Sequence, residues 1–214
     1  MSSVPRLHVV TTREILERSD FEPAARALLA SPDVALHLRA RGSSGRLLLE
    51  RALALGAGAL AGRLVVNDRV DVALLAGAGA HLPEAGLTPA QARTILGRDP
   101  LLGRSVHDPR PAPTGSPDPD VDAGLLDYVI YGHVFETASK LGEPPRGRAG
   151  LERAVRRFAG RGLPVVAIGG VTPSRVREVL DAGAHGVAAV SGIWHASDPA
   201  AAAARYLAAL AGGT

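Results

Sequence analysis

Eight short apolar runs, spaced by helix-forming stretches, constrain this chain more than any other feature. Strands are predicted near Leu7–Thr11, Ala35–Arg39, Leu64–Asn67, Ala80–Leu82, Leu101–Ser105, Tyr128–Tyr131, Val165–Ile168 and Gly186–Val190. Most are near-continuous apolar runs of four to six residues, the pattern of parallel strands buried on both faces. Helical patterns lie between them. Arg13–Ala30 carries Pro23 and is expected to split there. Ser43–Leu55, Val70–Ala76, Pro89–Leu96, Gly150–Ala159, Pro173–Asp181 and Pro199–Leu210 follow, three of them opening on a Thr-Pro or Asp-Pro pair that reads as cap and first turn. Eight strands alternating with helices in 214 residues predict a small single-domain (β/α)8 TIM barrel. The rival, a doubly wound open sheet, often has a glycine-rich loop after its first strand. Here the first strand runs into Val10-Thr11-Thr12-Arg13.

One segment breaks the rhythm. DPRPAPTGSPDPDVD, residues 108–122, holds five prolines where the fifth helix belongs. It is expected to be a surface loop with at most a short helix near Val121–Leu126. A helix there could pack a subunit interface, so a homo-oligomer is left open.

Composition narrows the function classes. The chain has no cysteine, which excludes thiolate nucleophiles, zinc fingers and iron–sulfur sites built on its own residues. Twenty-three of its 24 basic residues are arginine, balanced by 21 acidic residues to a net charge of +3. With 3% aromatic residues it offers little for stacking bases, which argues against nucleic-acid binding. The greasiest stretch, Ala52 to Val66, is interrupted by Arg63 and three glycines, so no membrane span is expected. These features suit a cytoplasmic α/β enzyme.

In a barrel the chemistry sits at the carboxyl ends of the strands. The polar residues there are Thr11 and Thr12; His37, Arg39 and Arg41; Asn67 and Asp68; Ser105 and His107; His133, Glu136, Thr137 and Lys140; Gly169 and Gly170; and Ser191 and Gly192. Basic and amide groups outnumber carboxylates, so the mouth should favour an anion. The Gly169-Gly170 and Ser191-Gly192 turns follow strands seven and eight, where barrels commonly bind phosphate through backbone N–H groups. Lys140 is the sole lysine in an arginine-biased chain, which suggests a point-charge donor. His133, at the end of strand six, has the chemistry of a proton shuttle. His37 alternates with Leu36 and Leu38 and is expected to point into the barrel. No histidine shows metal-ligand spacing, and no Walker, dinucleotide or serine-elbow motif is present.

Five stretches carry a resemblance: LHLRAR (36–41), RLVVNDRVDVAL (63–74), GRSVH (103–107), DYVIYGHVFETASKLG (127–142) and PVVAIGGVTPSRVREVLDAGAHGVAAVSGI (164–193). Through them the chain resembles the thiamine phosphate synthase superfamily, from strand one to strand eight. Synthases of that superfamily typically read Gln-Leu-Arg at strand two, Gly-Pro-x-Phe at strand six, and carry a second metal-binding aspartate after strand four. This chain has His37-Leu38-Arg39, GHVFET, and His81-Leu82-Pro83-Glu84-Ala85-Gly86 without that aspartate, although Asp68 matches the other metal ligand. Those departures resemble the TenI-like thiazole tautomerase branch. That resemblance implies an isomerase of thiamine biosynthesis, aromatising a thiazole carboxylate phosphate, with no metal and no cofactor. His133 would be its general acid/base. Gly169, Gly170, Ser191 and Gly192 would hold the phosphate. Arg39, Lys140 and Thr137 would meet the carboxylate or orient the ring, with Asn67 and Ser105 as pocket wall. Two alternatives stand beside it: a Mg²⁺-dependent synthase joining a pyrimidine pyrophosphate to a thiazole phosphate, and a non-catalytic binding protein on the same barrel.

Overall fold

A computed structural model describes residues 4–60, 62–107, 124–140 and 142–212. Eight parallel strands form a closed barrel in sequence order. They are β1 (Leu7–Val10), β2 (Val34–Leu38), β3 (Leu64–Asn67), β4 (Gly79–Leu82), β5 (Leu102–Val106), β6 (Tyr128–Gly132), β7 (Val165–Ile168) and β8 (Gly186–Ala189). Closure is made by β1 and β8, with Leu7 opposite Val187 and Val9 opposite Ala189. This is the single-domain (β/α)8 barrel that the strand rhythm predicts.

The helices are α1 (Arg13–Leu16), α2 (Phe21–Leu29), α3 (Gly45–Ala54), α4 (Val70–Ala76), α5 (Pro89–Leu96), α6 (Gly147–Ala159), α7 (Val176–Asp181), α8 (Ser191–Trp194) and α9 (Pro199–Ala211). Thr88 caps α5 with a full capping box: its hydroxyl accepts from the Gln91 backbone N–H, and the Gln91 side chain accepts from the Thr88 N–H. The stretch from Arg13 to Ala30 is two pieces, as expected, but the break is not at Pro23. The helix breaks between Leu16 and Phe21, and Pro23 sits in the first turn of α2, where its missing N–H has no intrahelical acceptor to lose. The four-residue α8 escaped the sequence reading because one turn carries no period. The proline-rich stretch from 108 lies outside the described residues up to 123. Of the short helix expected near Val121–Leu126, only 124–126 are described, and they form a turn into β6.

Strand alternation sorts the apolar residues into two cores. Outward-facing residues such as Leu7, Val9, Leu36, Leu64 and Val66 pack under the helices. Inward-facing residues form a smaller interior cluster of Val10, Val65, Tyr128, Ile130, Val166 and Ala188. Each fully buried Leu or Val contributes roughly 1.5–3 kcal/mol. Gly103 on β5 leaves the space that Tyr128 fills: a Cβ there would lie 2.1 Å from the ring. No helix among the described residues is long and apolar enough to cross a membrane.

Candidate functional site

At the carboxyl ends of β2 to β5 the barrel opens into a cleft of about 240 Å³. Arg39, Arg41, Ser43, Asn67, Asp68, Arg69, His81 and Ser105 give it its polar lining. The local backbone places these groups firmly. Thr11 at the end of β1 pins the end of β2: its Oγ1 accepts from the Arg39 N–H at 2.8 Å and donates to the Arg39 carbonyl at 3.2 Å. Beyond β3 the chain bends sharply, with the Arg69 N–H donating to the Asn67 carbonyl and the Asp68 N–H to the His81 carbonyl. Asp68 has φ 69°, a left-handed conformation that a residue with a Cβ adopts at a cost of order 1–2 kcal/mol. Such strain is often stored where a chain positions functional groups.

The cleft is cationic. Burial, and then the nearby Arg41, push the Arg39 guanidinium down from the usual arginine range, yet arginine stays charged at any working pH. Arg69 is held by Asp71 through Nε at 2.8 Å and Nη2 at 2.5 Å. Arg39 and Arg41 have no ion pair among the described residues. A half-buried guanidinium with no carboxylate beside it is a ready anion receptor.

Of the residues expected from sequence to form the site, Arg39, Asn67 and Ser105 come together in this cleft. His133, Thr137, Lys140, Gly169, Gly170, Ser191 and Gly192 lie on the opposite side of the mouth, along β6 to β8. His133 is 7% exposed, and its Nε2 donates to the Glu143 carbonyl at 3.2 Å, which leaves Nδ1 with the lone pair in the neutral ring. Lys140 Nζ binds Glu143 Oε1 at 2.8 Å, and Thr137 Oγ1 meets Ser139 Oγ at 3.3 Å. Gly169 (φ 97°) packs on His133, where a Cβ would lie 2.3 Å from the His133 Cβ. Gly170 (φ 64°) packs on the Glu136 carbonyl at 2.3 Å by the same measure. The glycine pair therefore makes room for the β6 loop as well as for any ligand. Ser191 and Gly192 open α8 and are exposed.

His37 points inward as the alternation predicts, and it does not stand alone. His8, His37 and His81 are all buried in the barrel interior beneath the cleft. The sequence shows each one, but their meeting depends on closure across three strands.

A resident Mg²⁺ site is a further question the donors can answer. Asp68 is the only carboxylate lining the cleft among the described residues. Glu84, which follows β4 at another offset than the family's second aspartate, is bound to His107, with Oε2 2.7 Å from Nδ1. No group of three His, Asp or Glu residues suited to a metal exists among the described residues. One carboxylate beside two unpaired guanidiniums does not make a resident magnesium site. A cation that enters already bound to a pyrophosphate would be part of the substrate.

The thiamine monophosphate synthase family profile matches residues 7–193. The chain belongs to this family. Thiamine-phosphate synthase of Salinibacter ruber is 35% identical over 214 residues, covering 98% of this chain and 90% of the relative. That of Xanthobacter autotrophicus is 40% identical over 190 residues, covering 84% and 86%. Among solved structures, the thiamine phosphate pyrophosphorylase of Pyrococcus furiosus superposes with a TM-score of 0.79 at 27% identity, covering 99% of this chain and 98% of that one.

These relatives overturn the isomerase expectation. The thiazole tautomerase assignment rested on His37-Leu38-Arg39 at β2, one hexapeptide at the end of β6 and a missing aspartate after β4. Proteins alike along nearly the whole chain are named thiamine-phosphate synthase, a transferase. Membership of the thiamine monophosphate synthase family stands; the narrower TenI-like branch does not.

Proposed function

We propose that this protein is a thiamine-phosphate synthase, a transferase that joins a pyrimidine pyrophosphate to a thiazole phosphate. The observation that carries this reading is the cleft itself: two guanidiniums, Arg39 and Arg41, held at a strand-end pocket without carboxylate partners among the described residues. A pyrophosphate is a dense anion that fits such a receptor.

The reaction forms a bond from the thiazole ring nitrogen to the methylene carbon of the pyrimidine. The bond from that carbon to the pyrophosphate oxygen breaks, and its electron pair leaves with pyrophosphate. Charge grows on the leaving group in the transition state. Arg39 and Arg41 stabilise it there, which is the kind of preorganised electrostatics that dominates many enzymatic rate enhancements. No protein base is required, because the attacking nitrogen already has its lone pair. The thiazole phosphate is assigned to the far side of the mouth, with its phosphate at the Gly169-Gly170 and Ser191-Gly192 turns and its ring beside His133 and Thr137. Lys140 and its partner Glu143 close that side.

The test is to supply both substrates with Mg²⁺ to the purified protein and to measure thiamine phosphate and pyrophosphate together. One pyrophosphate should appear per thiamine phosphate, and neither should form when one substrate is omitted. No product at any Mg²⁺ concentration would overturn the reading. With a single carboxylate at the cleft, the Mg²⁺ requirement should rise with the concentration of pyrimidine pyrophosphate. A half-saturation independent of that concentration would instead indicate a resident cation.

The phosphate assignment has its own check. Ser191→Asp sets a carboxylate at an exposed turn beside the expected phosphate. Its KM for thiazole phosphate should rise about tenfold, the equivalent of roughly 1.4 kcal/mol of like-charge repulsion. The KM for the pyrimidine substrate should hold. Equal effects on both would remove the phosphate from this turn.

A further inference from the structure

Beneath the cleft lies a set of polar groups that the proposed reaction does not touch. His8 on β1, His37 on β2, His81 on β4 and Tyr128 on β6 fill the barrel interior, all buried. Their rings pack together: His8 to His37 at 5.1 Å, His37 to His81 at 5.3 Å, His81 to Tyr128 at 5.6 Å and His8 to Tyr128 at 4.8 Å between centroids. Hydrogen bonds join them into two branches. In the first, His8 Nε2 meets the Pro5 carbonyl at 3.0 Å, His8 Nδ1 meets His37 Nε2 at 2.8 Å, and His37 Nδ1 meets Asn67 Oδ1 at 3.0 Å. In the second, the Tyr128 hydroxyl meets His81 Nδ1 at 3.2 Å, and His81 Nε2 meets Ser105 Oγ at 2.9 Å. Both branches end on residues that line the cleft.

The surroundings keep every ring neutral. Burial pulls His37 down to about 4. Burial, then His37 and His185, hold His8 well below the usual histidine range; only its bond to the Pro5 carbonyl opposes them. Burial, then His37, His8 and Arg39, do the same to His81. Burial, then Asp127, push the Tyr128 phenol well up. A neutral imidazole has one N–H and one bare nitrogen, so each contact dictates the next.

The first branch can be read from its lower end. A carbonyl can only accept, so the His8 proton is on Nε2. His8 Nδ1 is bare and accepts from His37 Nε2–H. His37 Nδ1 is then bare as well, and a bare nitrogen needs a donor opposite it. The oxygen and nitrogen of an asparagine amide are distinguished only by their partners. The chain therefore turns the Asn67 amino group to His37 and its carbonyl oxygen away. In the second branch, the Tyr128 O–H donates to His81 Nδ1, since the reverse leaves a buried phenolic hydrogen without an acceptor among the described residues. His81 Nε2–H then donates to Ser105 Oγ, and the Ser105 hydroxyl hydrogen is left for another acceptor.

We propose that this histidine ladder is a positioning device, in which the Pro5 carbonyl at the floor of the barrel sets Asn67 as a hydrogen-bond acceptor and the Tyr128–His81 pair sets Ser105 as a donor at the cleft. His8, His37 and His81 touch no reacting atom; they act through Asn67 and Ser105. A ligand in the cleft must then bring an N–H or O–H to Asn67 and a lone pair to Ser105. That last clause rests on the cleft being the substrate site, whereas the ladder does not.

The experiment reads tautomers on the full-length protein alone. Histidine is labelled with ¹⁵N, and long-range proton–nitrogen correlations are recorded near neutral pH. His8, His37 and His81 should each show a proton on Nε2 and a bare Nδ1. A proton on His37 Nδ1, or a doubly protonated ring at any of the three, would overturn the proposal. Asn67→Asp supplies the complementary arm, because a carboxylate cannot donate. His37 should then become doubly protonated near neutral pH, keeping its Nε2–H on His8 and adding Nδ1–H toward the new carboxylate. A folded variant in which His37 keeps a bare Nδ1 would equally overturn it. Should the variant not fold, the wild-type spectrum decides by itself. Neither readout depends on whether the protein joins the two substrates.

Discussion

Replacing Arg39 by methionine should lower kcat by about 10²–10³-fold, the loss typical of removing one preorganised donor from a developing anion. The KM for the pyrimidine pyrophosphate should rise as well, because the same group meets the ground-state anion. Methionine keeps most of the apolar stem and removes only the charge and its donors. Arg39 leaves the barrel in the same inward register as His37, and Thr11 fixes its backbone from both sides, so the side chain starts from an anchored strand end that faces the cleft. Arg41, two residues further out, is exposed. Water screens it more, and Arg41→Met should cost roughly tenfold or less. Steady-state kinetics with pyrophosphate release as the readout separates the two. Equal losses at both positions, or no loss at Arg39, would remove Arg39 from the leaving-group site.

The second large effect concerns stability. Arg93 on α5 is 9% exposed and works as a clamp. Its guanidinium donates to the carbonyls of Gly97, Arg98 and Pro100 ahead of β5, to the Leu125 carbonyl, and to Asp127 Oδ2 at 2.9 Å just before β6. Asp127 Oδ2 also accepts from the Leu102 N–H at 2.7 Å. Arg93→Met strips all of these donors at once and leaves part-buried carbonyls and the half-exposed Asp127 carboxylate without their partner. The expected loss is about 1–3 kcal/mol, the range for leaving hydrogen-bonding groups of a folded chain unsatisfied. Urea unfolding followed by circular dichroism would measure it. A loss below about 1 kcal/mol, the level of an exposed pair, would show that water replaces the clamp without penalty.

The strands were legible to within about a residue at most ends because burial on both faces keeps most of their positions apolar, and polar exceptions such as His8, His37 and His81 come singly within their runs. Helix starts were legible where a Thr-Pro or Asp-Pro pair fixed the cap, as at Thr88 and Asp198. Pro23 misled because a proline in a helical pattern marks either a break or a first turn, and the pattern alone does not distinguish them. The cleft was legible only in part. Arg39, Asn67 and Ser105 follow from the rule that strand ends carry the chemistry. The ladder does not, since His8, His37, His81 and Tyr128 are brought into contact by barrel closure across as many as 120 residues of chain. The isomerase expectation failed for a related reason. It weighed three short departures, at β2, at the end of β6 and after β4, while the resemblance that favours the transferase reading is spread over the whole barrel.

The seam between β1 and β8 has a consequence for how the chain is made. Of the eight barrel strands, Leu7–Val10 is the first to leave the ribosome, and its partner at the seam, Gly186–Ala189, is the last. At about 5–20 residues per second, synthesis leaves that edge of β1 without its partner for roughly ten to a few tens of seconds. The waiting strand is apolar at three of its four positions and carries unpaired backbone groups, the kind of edge that recruits other strands. For this protein the hazardous interval is therefore set by translation speed. Slowing the ribosome between the codons of β7 and β8 lengthens the exposure of β1, even though no residue of that strand has changed.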